Sequence, residues 1–169
     1  VRFLVVGAEA DADARDTREE YGWTPCILAC DWNKPRAVQA LVEVNADVNR
    51  AATGSSFAKG FTPCMMAAYR GNPACLRALG AAPTLDVNAV AAEGKHKGKT
   101  ALDVALDQNQ EEAAAVLRDE LGAKRARDLT EDDKRKSRDI ARGVFAAEAA
   151  MESARGPPAG GHGARHASA

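Results

Sequence analysis

Residues 59–79 read KGFTPCMMAAYRGNPACLRAL. Gly60-Phe61-Thr62-Pro63 opens the stretch, a short apolar run ends at Ala67-Ala68, Gly71-Asn72 interrupts it, and a second apolar run passes through Leu76 to Leu79. Thr62 suits a helix N-cap because its hydroxyl accepts from a backbone N–H that the first turn leaves unpaired. Pro63 suits the first helical position, where it forfeits no hydrogen bond. The stretch is therefore predicted as helix, turn, helix. Each helix is too short to persist alone in water, so neighbouring chain must bury its apolar face.

The neighbours carry the same pattern. Gly22-Trp23-Thr24-Pro25 precedes by 38 residues, and Gly98-Lys99-Thr100-Ala101 follows by 38. Four residues past Ala29, Ala67 and Ala105 come the turn formers Asn33, Gly71 and Asn109, and eight further on stand Leu41, Leu79 and Leu117. Ala46-Asp47-Val48-Asn49 and Asp86-Val87-Asn88 close the first two units. A fixed period of this size is the mark of stacked repeats.

These residues resemble the ankyrin repeat, whose unit is a β-turn finger and two antiparallel helices with a T-P-L-H-x-A signature. The resemblance covers roughly residues 1–123 and implies an all-α solenoid with short β-turn fingers, followed by a C-terminal helix. The expected array holds the end of a partial unit (1–13) and three units (22–49, 60–88 and 98–123). In the partial unit, Gly7-Ala8-Glu9-Ala10 is expected in place of Ala-Asp-Val-Asn. Ile27, Met65 and Asp103 occupy the place of the signature His, which removes a polar contact between turns. Asn45 stands where the family usually has Gly, and Asn is the next best residue for a left-handed helix end.

All three fingers are long. Asn49 to Gly60 is 11 residues and Asn88 to Gly98 is 10, whereas a unit of about 33 residues leaves about 6. Insertions in such arrays gather on one face, often the binding face. Drift of a tolerant loop accounts for them equally well. Gly54-Ser55-Ser56 and Gly94–Gly98 are expected to be mobile in the free chain.

The C-terminal helix segment is assigned to 124–155, with the helix itself expected over 130–153, after Lys124-Arg125-Ala126-Arg127. Thr130 with Asp133 approximates a capping box, and Ile140, Val144, Phe145 and Met151 recur near helical spacing. This helix either caps the third unit or binds a partner. Residues 156–169, GPPAGGHGARHASA, are too poor in apolar content to order themselves.

The 169 residues carry a formal net charge of −1, which argues against binding nucleic acid through bulk electrostatics. No apolar run approaches a membrane-spanning length. The chain opens inside a unit, as a processed chain or a fragment would. Cys26 and Cys64 replace the Leu of the signature and are expected to face into the stack. Cys26, Cys30, Cys64 and Cys75 read as small core residues, with zinc binding by Cys26, Cys30 and Cys64 the minority reading. Four free thiols favour the cytoplasm or another reducing compartment. An organelle interior, after removal of a transit peptide, is the alternative.

No catalytic constellation is present: there is no P-loop, dinucleotide glycine fingerprint, H-E-x-x-H or Cys-x-x-Cys. The three histidines, His96, His162 and His166, fall in a loop and the tail, without a rigid scaffold to aim them. No enzyme activity, cofactor, metal or small-molecule substrate is expected. The resemblance implies contact with a protein partner instead. Family contacts come from finger tips, from the residue between Gly and Thr-Pro, and from the two residues after the first helix's Ala pair. On this sequence those positions hold Trp23, Phe61 and Lys99, then Asp31-Trp32, Tyr69-Arg70 and Asp107-Gln108. Trp23 and Phe61 serve equally well as packing residues. Arg70 with the finger lysines Lys59, Lys97 and Lys99 is expected to select an acidic rim on the partner. A permanently embedded subunit of a larger assembly is the alternative to a self-sufficient binding module.

Overall fold

The computed structural model describes residues 11–16, 21–54 and 56–140. Three helix pairs follow one another: α1 (Pro25–Asp31) with α2 (Pro35–Glu43), α3 (Pro63–Arg70) with α4 (Pro73–Gly80), and α5 (Ala101–Asp107) with α6 (Glu111–Ala115). The last continues as a π-helical turn, Val116–Glu120. Each pair begins with the same device, in which the hydroxyls of Thr24, Thr62 and Thr100 accept from the N–H groups of Ile27, Met65 and Asp103. Pro25, Pro63, Pro35 and Pro73 each occupy a first helical turn.

Each pair also turns the same way. Asn33, Gly71 and Asn109 adopt left-handed backbone, with φ of 50°, 67° and 54°. The next residue in each case, Lys34, Asn72 or Gln110, donates its N–H back to the carbonyl of Ala29, Ala67 or Ala105 at 2.8–2.9 Å. This closure satisfies a carbonyl that the helix end would otherwise leave open. Asn45, at φ 57°, ends α2 in the same left-handed state expected of it.

The stack buries what the pairs cannot cover alone. α3 packs between α1 and α5, and α4 packs against α2. Phe61, Ile27, Leu41, Met65, Met66, Leu76, Leu79 and Leu117 are the largest wholly buried side chains. Ile27 and Met65, in place of the signature His, simply join this core. All four cysteines are buried free thiols, as expected of core residues. Burial raises the Cys64 thiol to about 12.

The closing loops are linked by a ladder. The side-chain oxygens of Asp13, Asn49 and Asn88 accept from the backbone N–H groups of Asp47, Asp86 and Lys124, each 34–37 residues further on, at 2.7–2.8 Å. Within the loops, Asp11, Asp47 and Asp86 accept from the N–H two residues on. Asp11-Ala12-Asp13 thus takes the part of Asp47-Val48-Asn49, and the assignment of that closing motif to residues 7–10 is corrected. The pairing of an acceptor with an N–H two residues on sets the register. The rest of the partial unit, residues 1–10, lies outside the described residues.

The fingers fold back on themselves. Ala52 donates to the Phe61 carbonyl while Gly60 donates to that of Ala52, and Ala91 and Lys99 with Gly98 repeat the arrangement one unit later. Adjacent fingers abut so closely that a Cβ on Gly60, whose φ is 80°, would stand 2.8 Å from the Glu93 carbonyl oxygen. The extra residues therefore pack rather than project. Residues 94–98 form a turn that buries His96, contrary to the expectation of a histidine without scaffold.

Past the third unit the chain is pinned by Asp103. Its carboxylate accepts from Thr100, from Arg125 Nε at 2.9 Å and from the Ala126 N–H at 2.8 Å. Helix α7 follows over 131–140, started by the reciprocal bonds between Thr130 and Asp133. Lys124 pairs with Asp133 at 2.7 Å and holds that carboxyl well below the ordinary carboxylate range. The described part of α7 contains no buried residue. It borders a groove of about 970 Å³ beside the fingers, reaching as far as Arg15 and Arg50. Val144, Phe145 and Met151, with the expected tail, lie outside the described residues.

Candidate functional site

Aromatic rings from adjacent units form one continuous row. Tyr21 meets Trp23 edge-on at 4.9 Å, Trp23 meets Phe57 at 6.3 Å, Phe57 meets Tyr69 at 5.2 Å, and Phe61 meets Tyr69 at 5.8 Å. His96 ends the row, 5.0 Å from Phe61 and 5.9 Å from Tyr69. Edge-to-face and offset rings at these separations attract through their quadrupoles as well as by burial. The repeat period places Trp23 and Phe61 one unit apart, and the long second and third fingers supply Phe57 and His96.

Trp23 and Phe61 lie in the core and form the floor of this row. Tyr69 is half-buried above them, and Phe57, 38% exposed, is the outermost ring. The Arg70 guanidinium carbon stands 5.5 Å from the Phe57 ring centre and 5.7 Å from that of Tyr69. Asp31, from the unit before, accepts from Arg70 Nε at 2.7 Å and fixes that placement. Asp31, Trp23, Phe61, Tyr69 and Arg70 are therefore brought together.

Trp32 is not in that group. It is 68% exposed and borders a separate apolar hollow of about 230 Å³ with Pro25, Leu28, Ala37 and Leu41. The lysines are engaged within the chain: Lys59 pairs with Glu93 at 2.8 Å, and Lys99 with Asp107. Lys97 is exposed on the third finger, and Gln108 is half-buried after α5. Lys59 and Lys99 would have to exchange an internal carboxylate for one on a partner.

Two members were missed from sequence, Phe57 and His96. Both lie in inserted finger residues that no repeat template indexes. Only the local excess of length marked them. His96 is buried with its Nδ1 unpaired, and burial pushes it below the ordinary imidazole range, with Lys99 and Lys95 acting the same way and Asp107 opposing. Trp23 Nε1 and Ser56 Oγ, near the same rings in sequence and space, are also buried without a partner. A buried unpaired polar group costs about 1–3 kcal/mol.

Among the described residues there is no cluster of His, Cys, Asp and Glu able to hold a metal ion. Cys30 touches Cys26 and Cys75, and those contacts, with burial, hold its thiol protonated. Nor is any described helix long and apolar enough to cross a membrane.

Stacked helix pairs with protruding, mutually abutting turns define a helical-repeat solenoid. The ankyrin-repeat family model matches residues 21–53, which span the first unit and the start of the next finger. The same caps, turns and ladder recur in the two units that follow, so the described array is an ankyrin-repeat solenoid. Ankyrin repeats are in general non-catalytic protein–protein interaction modules, and protein partners follow from that class. No curated protein matches the chain.

Proposed function

We propose that this chain is a non-catalytic recognition module that binds a protein partner through its concave face and lengthened fingers. The observation that carries this reading is the Phe57, Tyr69 and Arg70 surface. It rests on a floor of Trp23 and Phe61 that spans two units, and combines residue types that dominate binding hot spots. Trp32, Lys97, Asp107 and Gln108, outside that cluster, extend the contact. Four buried free thiols fit a reducing compartment. The test is affinity capture with the wild-type chain, Trp32→Ala and Arg70→Ala as parallel baits. A partner held by the wild type and lost with Arg70→Ala is expected; one held equally by both variants removes the reading.

A second reading, a permanently embedded subunit, draws on the hollow beside Trp32. An apolar recess bordered by Pro25, Leu28, Trp32, Ala37 and Leu41 is the kind of face that a further packed element covers. Size-exclusion chromatography with light scattering separates the two, since a module is a folded monomer alone and an embedded subunit aggregates.

A further inference from the structure

We propose that the notch under Phe57 takes an aromatic side chain followed or preceded by a carboxylate on the partner, and that Phe57 fills it in the free chain as an exchangeable internal ligand. This rests on the recognition role proposed above and names the partner chemistry of that site.

Four groups converge on the Phe57 ring. Trp23 and Phe61 meet it edge-on at 6.3 and 6.4 Å, Tyr69 lies tilted at 5.2 Å, and Arg70 covers it at 5.5 Å. All four stand at repeat positions, so the notch belongs to the array, whereas Phe57 belongs to the inserted finger. A finger residue that is 38% exposed and rests on a mostly buried aromatic floor is held by less contact than the floor itself. A partner ring entering from solvent would find the same ring edges and the same guanidinium.

The charge beside the notch is also set. Among the described residues, the side-chain hydrogen bond of Arg70 is the one from Nε to Asp31, which holds the guanidinium carbon 5.5 Å from the Phe57 ring centre. Guanidinium carries five N–H donors. The Arg70 side chain is 41% exposed, which leaves its terminal nitrogens open to a second carboxylate. Trp23 Nε1–H, buried and unpaired on one of the rings that meet Phe57, is a donor that a partner carbonyl satisfies once Phe57 moves aside. A ring, a carboxylate and an acceptor are thus requested at one place, which is a short aromatic-acidic segment.

The probe is the capped hexapeptide Gly-Gly-Asp-Phe-Gly-Gly, titrated into the ¹⁵N-labelled full chain, with Asn in place of Asp and Ala in place of Phe as control peptides. Shifts centred on residues 57, 69 and 70 are expected, with either control binding at least about fivefold more weakly. Because an internal competitor lowers apparent affinity by the fraction of chain left open, Phe57→Ala is expected to bind the probe about fivefold or more tightly. Phe57→Leu, which keeps apolar volume at the finger, is read alongside and moves in the same direction. Unchanged or weaker binding by both variants overturns exchange, and equal binding of the Asn peptide overturns the acidic assignment. If capture on Arg70→Ala baits still loses the partner while the probe binds neither chain, the recognition role stands and the aromatic-acidic assignment falls. If capture is indifferent to Arg70→Ala, both fall.

Discussion

Residues 25–32 and 63–70 follow one template and meet different fates. Both start with a Thr cap and Pro, both carry a Cys next, and both end before a left-handed turn. In α3 every residue from Pro63 to Ala68 is buried, because the helix lies between α1 and α5. In α1 the equivalent of Met66 is Leu28, only half-buried, and the equivalent of Arg70 is Trp32, which stands open beside its hollow. The local signals set where each helix begins and turns. Whether a given side chain becomes core or surface is decided by the unit stacked against it, and that is the nearest-neighbour character of a solenoid.

The sharpest way to break this comparison is truncation at equivalent sites. Met66→Ala is expected to cost about 2–5 kcal/mol in urea unfolding, as for other buried large-to-small changes. Leu28→Ala, losing less buried area, is expected to cost about 1–2 kcal/mol. Equal costs would show that α1 is as enclosed as α3. The caps should behave oppositely: Thr24→Ala and Thr62→Ala are each expected to cost about 1 kcal/mol, because a cap bond is local and does not depend on the neighbouring unit.

His96 adds a pH dependence to the finger. Its pKa is lowered in the folded chain, so the unfolded chain takes up the proton first as pH falls. Its stabilising contribution is fully present above the ordinary imidazole value near about 6.5 and is lost as pH falls below it through the folded value. Melting at pH 7.5 and 5.5 should show a larger drop for the wild type than for His96→Gln, and identical drops would remove His96 from the aromatic row. The smallest effect belongs to Trp32→Ala, expected to change stability by no more than about 0.5 kcal/mol, as for other exposed sites.

The parts legible in the sequence were those governed by a few adjacent residues. Thr-Pro starts, the Asn33, Gly71 and Asn109 turns, Asn45 and the Thr130 capping pair all stand where local chemistry put them. The inserted fingers were legible only as extra length. Their conformation depends on rings contributed by other units, and no local pattern reports that His96 will settle against Phe61 and Tyr69. The direction of Trp32 was hidden for the same reason, since its position in the repeat equals that of Arg70 while its neighbours differ. The partial unit's closing motif was misread because Asp11-Ala12-Asp13 keeps the hydrogen-bonding pattern of Asp-Val-Asn without its letters.

The most direct test of recognition through the aromatic face is amide hydrogen exchange on the full chain with and without its captured partner. Slowed exchange over residues 57–70 and 96–108, with 35–43 and 131–140 unchanged, is the expected result. Slowing confined to 131–140, or to the hollow beside Trp32, would contradict it and move the binding surface to α7 or to the open face of the first unit.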